Sequence, residues 1–184
     1  MTLTVTPVCN FGEKAKNFKL ISTENEKISL EDIKGTNGTL IMFICNHCPY
    51  VKAVIKDIVE DVKFLEDLGI KSVAIMSNDV KNYPEDSFEN MISFSKLHNF
   101  SFPYLIDDTQ KVAKDYDAVC TPDFFGYNKN LELQYRGRIR ELKDLKPISK
   151  GDSDLRAAMI LIAKSEKGPK NQIPSMGCNI KWFK

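Results

Sequence analysis

The chain alternates short apolar runs with one long amphipathic segment. Residues 39–45 form a nearly continuous apolar run, which is typical of a strand buried on both faces of a sheet. From Pro49 the period changes, and apolar residues recur at helical spacing until Gly69, with charged residues on the opposite side. A second apolar run, residues 70–76, follows at once. This order predicts a right-handed strand–helix–strand unit and a sheet that is at least partly parallel.

Shorter elements flank this unit on both sides. A polar turn between two short apolar runs predicts a hairpin over residues 18–30, at an edge of the sheet or as a lid. Pro84 favours the start of another helix, and residues 103–106 predict a third short strand. Two apolar segments around turn residues predict a hairpin over residues 123–136 that closes the sheet with an antiparallel pair.

The C-terminal part of the chain has a different pattern. We expect a helix over about residues 153–165, followed by an irregular tail whose apolar end docks on the rest of the protein. With 184 residues the chain lies in the size range of one domain. The sequence therefore predicts a single α/β domain over residues 1–184, with a central mixed sheet flanked by helices and an extension, residues 147–184, packed on it.

Charge and hydropathy exclude some classes of partner. The 26 Lys and Arg against 25 Asp and Glu leave a net charge of +1, too small to attract nucleic acid or an anionic membrane. The longest apolar run, residues 40–45, is far too short to span a bilayer. The first residues lack the basic and apolar segments of a secretory signal. We expect a cytoplasmic protein without nucleic-acid or membrane partners.

The five cysteines point to reactive thiols rather than to a disulfide framework. The count is odd, and only Cys45 and Cys48 lie close together, where the buried strand gives way to the helix. A helix N-terminus favours a thiolate, so we predict Cys45 as the nucleophile and Cys48 as the resolving cysteine. An imidazolium at His47 favours the thiolate and makes the pair more oxidising. Two ordinary buried cysteines, half of a zinc site and an exposed loop histidine stay open as alternatives.

A second candidate element precedes the predicted C-terminal hairpin of the sheet. Cys120, Thr121 and Pro122 are consecutive, and a cis Thr121–Pro122 bond would present a backbone edge to a bound substrate. The alternative is an ordinary trans proline at the start of an edge strand.

The order of elements resembles the thioredoxin superfamily. Five segments narrow the resemblance to its peroxiredoxin-like branch, the AhpC/TSA family: CNHCPYV (45–51), SNDVKNYP (77–84), CTPDFF (120–125), YRGR (135–138) and PSMGCNIKW (174–182). The resemblance covers nearly the whole chain.

The resemblance implies a thioredoxin-like fold with Thr121 and Pro122 in the substrate groove, Pro122 being at the superfamily's cis-proline position opposite the CxxC pair. It places Cys120 within reach of Cys45, and it makes Cys178 part of a family motif that folds back toward the active site. Cys120 and Cys178 are therefore candidates for a secondary redox role, with a buried inert thiol as the alternative for each.

The chain departs from typical peroxiredoxins at two positions. These proteins place Thr or Ser three residues before the peroxide-reactive cysteine and Pro four residues earlier, where this chain has Met42 and Gly38. The absent hydroxyl argues against hydroperoxidase activity. A peroxidase site also needs an arginine near the thiolate. Three arginines, Arg136, Arg138 and Arg140, lie near the end of the predicted hairpin, and we interpret them as solvated charges at a strand edge.

These observations favour a thiol-disulfide oxidoreductase of peroxiredoxin-like type. It acts on a disulfide-containing protein or a small thiol or peroxide substrate, uses a thiol reductant, and needs neither an organic cofactor nor a metal because sulfur carries the electrons. The alternatives are a thiol peroxidase, a zinc- or copper-binding module built on Cys45, His47, Cys48 and either Cys120 or Cys178, and a redox-inert scaffold.

Overall fold

The chain folds into short strands and four α-helices within the residues that the structure describes. The computed structural model describes residues 3–7 and 9–184. Its strands are β1 (Leu3–Val5), β2 (Lys19–Ser22), β3 (Lys27–Ser29), β4 (Gly38–Phe43), β5 (Ile70–Met76), β6 (Tyr104–Ile106), β7 (Cys120–Thr121), β8 (Asp123–Tyr127), β9 (Leu133–Arg136), β10 (Leu142–Lys143), β11 (Lys146–Pro147) and β12 (Met176–Asn179). Its helices are α1 (Pro49–Glu66), α2 (Phe88–Leu97), α3 (Lys111–Asp115) and α4 (Asp154–Ser165). Within these described ranges, no helix combines the length and the apolar character that crossing a membrane requires.

The central sheet has the order β3–β2–β6–β5–β4–β8–β9. β4 pairs in parallel with β5 and antiparallel with β8, so the prediction of a mixed sheet is confirmed. The N-terminal hairpin and the β8–β9 pair lie at opposite edges of the sheet, and the turn residues predicted both hairpins.

β4 is buried along its whole length because both sheet faces are covered. Leu40 and Met42 point into a core shared with α1, α2 and α4, whereas Ile41 and Phe43 point into a second core shared with α3. This alternation explains the continuous apolar run, since a strand with helices on both faces needs no polar side.

The segment after Pro84 begins differently from the expected helix. Pro84–Asp86 forms one turn of 3₁₀ helix, and α2 starts only after Ser87, whose side chain accepts a hydrogen bond from the Asn90 amide at 3.3 Å. Because the 3₁₀ turn ends before α2 begins, the Asp86 side chain is buried rather than exposed on the surface of α2.

The C-terminal tail contains a strand where the sequence predicted irregular structure. β12 pairs antiparallel with β1 on one side and with β7 on the other, forming a separate three-stranded sheet. Gly177 permits the approach, since a Cβ there would lie 2.1 Å from the Thr121 carbonyl oxygen. A four-residue strand without apolar alternation leaves no periodic signal, which is why the sequence analysis missed it.

Candidate active site

The turn between β4 and α1 carries the two cysteines of the CxxC segment. β4 ends at Phe43, Cys45 lies in the turn, and Cys48 is the N-terminal cap of α1 with Pro49 as first helical residue. Pro49 suits this position because its missing N–H would have no partner in the first turn. Both cysteines are almost completely buried, with 1% and 0% of their surface exposed.

Thr121 connects the two sulfurs to the loop opposite. Its hydroxyl oxygen lies 3.4 Å from Cys45 Sγ, and its carbonyl oxygen accepts a hydrogen bond from Cys48 Sγ at 3.1 Å. The Thr121–Pro122 bond is cis, as the resemblance implied. The expected groove residues and the CxxC pair therefore meet in one place.

Asp86 holds the residues between the two cysteines. Its Oδ1 accepts hydrogen bonds from the backbone amides of Asn46 and His47, at 2.8 and 3.2 Å. Its Oδ2 lies 2.6 Å from His47 Nδ1 and accepts a 2.8 Å hydrogen bond from the Asn78 side chain. The hydroxyl of Tyr104 donates to Asn46 Oδ1 at 3.0 Å. One buried carboxylate thus fixes both the backbone and the imidazole of the CxxC segment.

Sequence reasoning missed Asp86. It follows the motif segment 77–84 by two residues, in a stretch that predicts the first turn of a helix, where acidic residues are common without any function. Only the tertiary contact with His47 distinguishes it from Glu85, whose carboxylate lies outside this network.

The surroundings of His47 favour its charged form. The hydrogen bond from its ring to Asp86 is the largest influence and raises the pKa of the imidazole above its ordinary value, although burial opposes the shift. For Asp86, burial alone would raise the pKa, but hydrogen bonds from His47 and Asn78 outweigh it and leave the pKa lowered. The ring also stacks on Tyr83, with centroids 5.7 Å apart, and Nδ1 lies 3.9 Å from Cys45 Sγ.

The two thiols share one ionisation. The hydrogen bond from Cys45 is the largest contribution that lowers the pKa of Cys48, to about 5, whereas burial first and Cys48 second raise the pKa of Cys45 well above its usual value. Either sulfur can carry the negative charge of the pair while the other holds the proton. The surrounding contacts distinguish the two sulfurs: the Thr121 hydroxyl and the His47 ring lie beside Cys45, while Cys48 donates to a carbonyl.

The two further candidate cysteines differ in position. Cys178 lies opposite Thr121 in the antiparallel register of β12 and β7, so the two side chains share a face. There it belongs to the buried cluster that contains Cys45 and Cys48, and its thiol lowers the pKa of Cys48. Cys120 precedes Thr121 on β7 and therefore points the other way; its thiol contacts the Pro122 carbonyl oxygen at 3.6 Å, and burial raises its pKa.

The expectation of solvated arginines is wrong for Arg140, which is 9% exposed and pairs with Asp57 at 2.9 Å, and it is also wrong for Arg136. Its side chain is only 3% exposed and forms a 2.9 Å ion pair with Asp123, whose side chain is completely buried. The guanidinium also lies over the Phe125 ring, 4.4 Å from its centroid. Apolar neighbours on β8 enclose this charge, and local sequence cannot show such enclosure. Arg138 is 23% exposed and pairs with Asp154 on the surface.

Three atoms of metal-ligand type also converge at the CxxC segment. One ligand atom each of Cys45, His47 and Asp86 lies within 4.8 Å of the other two. This set contains the Asp86 carboxylate, whereas the ligands predicted from the sequence were Cys45, His47, Cys48 and either Cys120 or Cys178.

A cysteine pair at the end of a central parallel strand, capping a helix and facing a cis-proline loop, defines a thioredoxin-like fold. The fold is also that of the thioredoxin domain of a thiol-disulfide oxidoreductase from Bacteroides vulgatus, which superposes with a TM-score of 0.60 at 15% identity over 70% of this chain and 89% of that one. The prediction of a thioredoxin-like α/β fold is confirmed.

The AhpC/TSA family model matches residues 11–142, and the chain belongs to the AhpC/TSA family. An uncharacterized conserved protein from Geobacillus kaustophilus is 40% identical, with a TM-score of 0.95 over 100% of this chain and 97% of that one. The thiol-disulfide oxidoreductase ResA of Bacillus subtilis is 27% identical over 117 residues, which are 64% of this chain and 61% of ResA. The chain thus spans less than two thirds of the length of this curated relative.

Proposed function

We propose that this protein is a thiol-disulfide oxidoreductase in which Cys45 and Cys48 alternate between dithiol and disulfide. The observation that carries the proposal is the contact of both sulfurs with Thr121, beside the cis peptide bond to Pro122. The similarity to ResA, a thiol-disulfide oxidoreductase by name, supports the same chemistry.

Cys45 is the attacking sulfur in this proposal. When the shared proton lies on Cys48, the negative charge on Cys45 is stabilised by the Thr121 hydroxyl at 3.4 Å and by the His47 imidazolium, while Cys48 donates to the Thr121 carbonyl. His47 therefore tunes the thiolate, and Asp86 positions and charges His47. Thr121 and Pro122 shape the groove in which the substrate disulfide meets Cys45.

The exchange proceeds in two balanced steps. The Cys45 thiolate attacks one sulfur of the substrate disulfide, a mixed disulfide forms, and the other substrate sulfur leaves as a thiolate that takes a proton. Cys48, losing its proton, then attacks Cys45 Sγ, which forms the Cys45–Cys48 disulfide and releases the second substrate thiol. Two electrons pass from the protein to the substrate, and the reverse sequence oxidises a dithiol.

The partners that fit this chemistry are a disulfide-containing protein or a small disulfide, and a thiol reductant that restores the pair. Sulfur carries the electrons, so the cycle needs no organic cofactor. The cytoplasmic location and the single-domain organisation expected from the sequence stay predictions.

The test measures reduction of oxidised glutathione by the protein with dithiothreitol as the electron source. We expect Cys45→Ser to abolish the catalysed rate. Cys48→Ser, treated with oxidised glutathione in the absence of dithiothreitol, should keep a mixed disulfide with glutathione that mass spectrometry detects. Cys120→Ser is the matched control, since this buried thiol faces away from Cys45, and its rate should equal that of wild type. A Cys45→Ser variant with the full rate would refute the proposal.

Thiol peroxidase activity is a second candidate, and one contact favours it. The hydroxyl absent at Met42 has a counterpart from another strand, because Thr121 Oγ1 lies beside Cys45 Sγ. In this alternative Cys45 takes one oxygen from a peroxide, which leaves as water or an alcohol, and the resulting sulfenic acid condenses with Cys48 to a disulfide and releases water. Peroxide consumption far above that of free cysteine, abolished in Cys45→Ser, would favour it over the primary proposal.

Metal binding is the candidate from another class, favoured by the convergence of Cys45, His47 and Asp86. Thiolate and imidazole ligands suit zinc. Purified reduced protein that retains one zinc ion through dialysis, and loses it in both Cys45→Ser and Asp86→Asn, would support this function. Protein without stoichiometric metal leaves disulfide exchange as the activity of the pair.

A further inference from the structure

Three sulfurs, not two, meet at the start of α1. Cys45, Cys48 and Cys178 lie in the same buried cluster, and the thiols of Cys45 and Cys178 both lower the pKa of Cys48. The contact with Cys178 is built by the fold, because the register of β12 places Cys178 directly opposite Thr121, whose carbonyl holds Cys48 at 3.1 Å. Disulfide formation would bring the sulfurs of Cys48 and Cys178 to about 2 Å from each other.

The strand that carries Cys178 is held firmly in place. Ser175, just before β12, donates from its hydroxyl to the Pro122 carbonyl at 2.7 Å and accepts a backbone hydrogen bond from Thr6. After β12, the backbone amide of Lys181 donates to Asn78 Oδ1 at 2.9 Å, and Asn78 is itself bound to Asp86. Cys178 is therefore positioned by the same network that positions the CxxC segment.

We propose that Cys178 is a third redox cysteine, which exchanges with the Cys45–Cys48 disulfide to form a Cys48–Cys178 disulfide and to release Cys45 as a free thiol. The proposal rests on the oxidoreductase function above, which supplies the first disulfide. It deepens that function by giving the protein two alternative oxidised forms.

The exchange balances without any outside reagent. The sulfur of Cys178 attacks Cys48 Sγ, the Cys48–Cys178 bond forms, and the Cys45–Cys48 bond breaks with its electron pair passing to Cys45. Burial raises the pKa of Cys178 to about 12, so it starts as a thiol and its proton goes to the departing Cys45 sulfur. The number of disulfides and the number of thiols are unchanged.

The second disulfide has a different consequence from the first. It ties β12 to α1 across the cis-proline loop while leaving Cys45 free to meet another substrate. An oxidised protein in this form can still form a mixed disulfide through Cys45, although Cys48 is no longer available to resolve it.

Tryptic mapping separates the two oxidised forms. Trypsin leaves Cys45 and Cys48 together in residues 35–52 and Cys178 in residues 171–181, since neither segment contains an internal Lys or Arg. The protein is oxidised with one equivalent of oxidised glutathione, quenched with acid, alkylated and digested. We expect a linked pair of these two peptides in wild type, with one remaining thiol in residues 35–52 alkylated.

Four single serine variants assign the link. It should persist in Cys45→Ser and disappear in both Cys48→Ser and Cys178→Ser, while Cys120→Ser, the matched control in the neighbouring strand, should behave as wild type. Diamide replaces glutathione for Cys45→Ser, because it oxidises adjacent thiols without the enzymatic cycle and so keeps this test independent of the proposed function.

The outcomes of the two proposals are distinct. If wild type forms only the Cys45–Cys48 disulfide, and Cys45→Ser treated with diamide leaves Cys178 free, the third redox cysteine is ruled out while the oxidoreductase function stands. If Cys178→Ser, which retains the CxxC pair, fails to reduce glutathione although circular dichroism shows it folded, Cys178 is needed in the cycle itself and is more than an alternative partner. If wild type and Cys178→Ser both lack activity but the Cys48–Cys178 link forms with diamide, the oxidoreductase function fails and the thiol contact is retained.

Discussion

His47 Nδ1 lies 2.6 Å from Asp86 Oδ2, and this contact joins the CxxC segment to a part of the chain about forty residues away. The same carboxylate binds the backbone amides of Asn46 and His47 through its other oxygen. The charge on the imidazole and the shape of the turn between the two cysteines therefore depend on one buried residue.

Asp86→Asn should lower the pKa of His47. The substitution keeps the size of the side chain but removes the charge that raises the pKa of the imidazole. Titration of the His47 ring protons by NMR measures the shift directly. Glu85→Gln is the matched control, because Glu85 is exposed and its side chain lies outside this network. An unchanged His47 pKa in Asp86→Asn would contradict the assignment of the ion pair.

The same pair makes the stability of the reduced protein depend on pH. The pKa of His47 is raised above 6.5, so its contribution is complete below pH 6.5 and is lost as the pH rises through the raised value. The pKa of Asp86 is lowered below 3.8, so its contribution is complete above pH 3.8 and is lost as the pH falls. Between pH 3.8 and pH 6.5, urea unfolding should show wild type more stable than Asp86→Asn by roughly 1–3 kcal/mol. The difference should become smaller as the pH rises through the raised pKa of His47. A difference independent of pH would indicate packing alone.

Thr121→Val should weaken the stabilisation of a thiolate at Cys45. Valine keeps the shape of the side chain but removes the hydroxyl at 3.4 Å from Cys45 Sγ. Loss of one hydrogen bond of about 1 kcal/mol corresponds to roughly a threefold to tenfold slower reaction of Cys45 with iodoacetamide at neutral pH. Thr39 is a buried threonine in β4 whose hydroxyl oxygen accepts a hydrogen bond from the Gly35 amide. Thr39→Val is therefore the control and should leave the rate unchanged. Equal rates in Thr121→Val and wild type would exclude a role for the hydroxyl.

Gly177→Ala should detach β12 from the cis-proline loop. A Cβ at this position would lie 2.1 Å from the Thr121 carbonyl oxygen, so the strands have to separate, at a cost of about 1–3 kcal/mol. We expect Cys45 and Cys48 to react faster with maleimide, measured by mass spectrometry over time. Gly151→Ala is the control: its φ of +86° is strained for alanine, but the space around it is open and distant from the cysteines. Unchanged thiol reactivity in Gly177→Ala would mean that β12 does not cover the pair.

Arg136→Met should destabilise the protein without altering the cysteine pair. It leaves the Asp123 carboxylate buried without its cation, and breaking a buried ion pair costs about 3–5 kcal/mol. Arg138→Met removes a partly exposed pair and should cost less than about 1 kcal/mol. Thermal unfolding compares the variants, and iodoacetamide reactivity shows whether Cys45 is affected. A similar small loss in both would argue that Arg136 is not enclosed as the structure describes.

Local pattern determined much of the fold. The buried run of β4, the amphipathic α1 and the run of β5 each carry a periodicity that follows from burial on one or two faces, so their order predicted the mixed sheet. The position of Cys45 and Cys48 at a strand-to-helix junction followed from the same pattern. The cis Thr121–Pro122 bond was expected through family resemblance, because local sequence left both isomers open.

The tertiary structure decided how distant residues complete the site, although the family resemblance had already implied that Cys178 folds back toward it. Asp86 looks like any acidic residue in a first helical turn until the chain brings it to His47, and Arg136 resembles a surface charge until Phe125 and Asp123 enclose it. Cys178 lies in a four-residue strand whose pairing depends on backbone hydrogen bonds to β7 and on the space left by Gly177. Such contacts join residues far apart in the chain, and neither spacing nor composition records them. The cysteine pair is therefore a property of the local sequence. The fold brings Asp86 to His47, places β12 over the pair and puts Cys178 beside it.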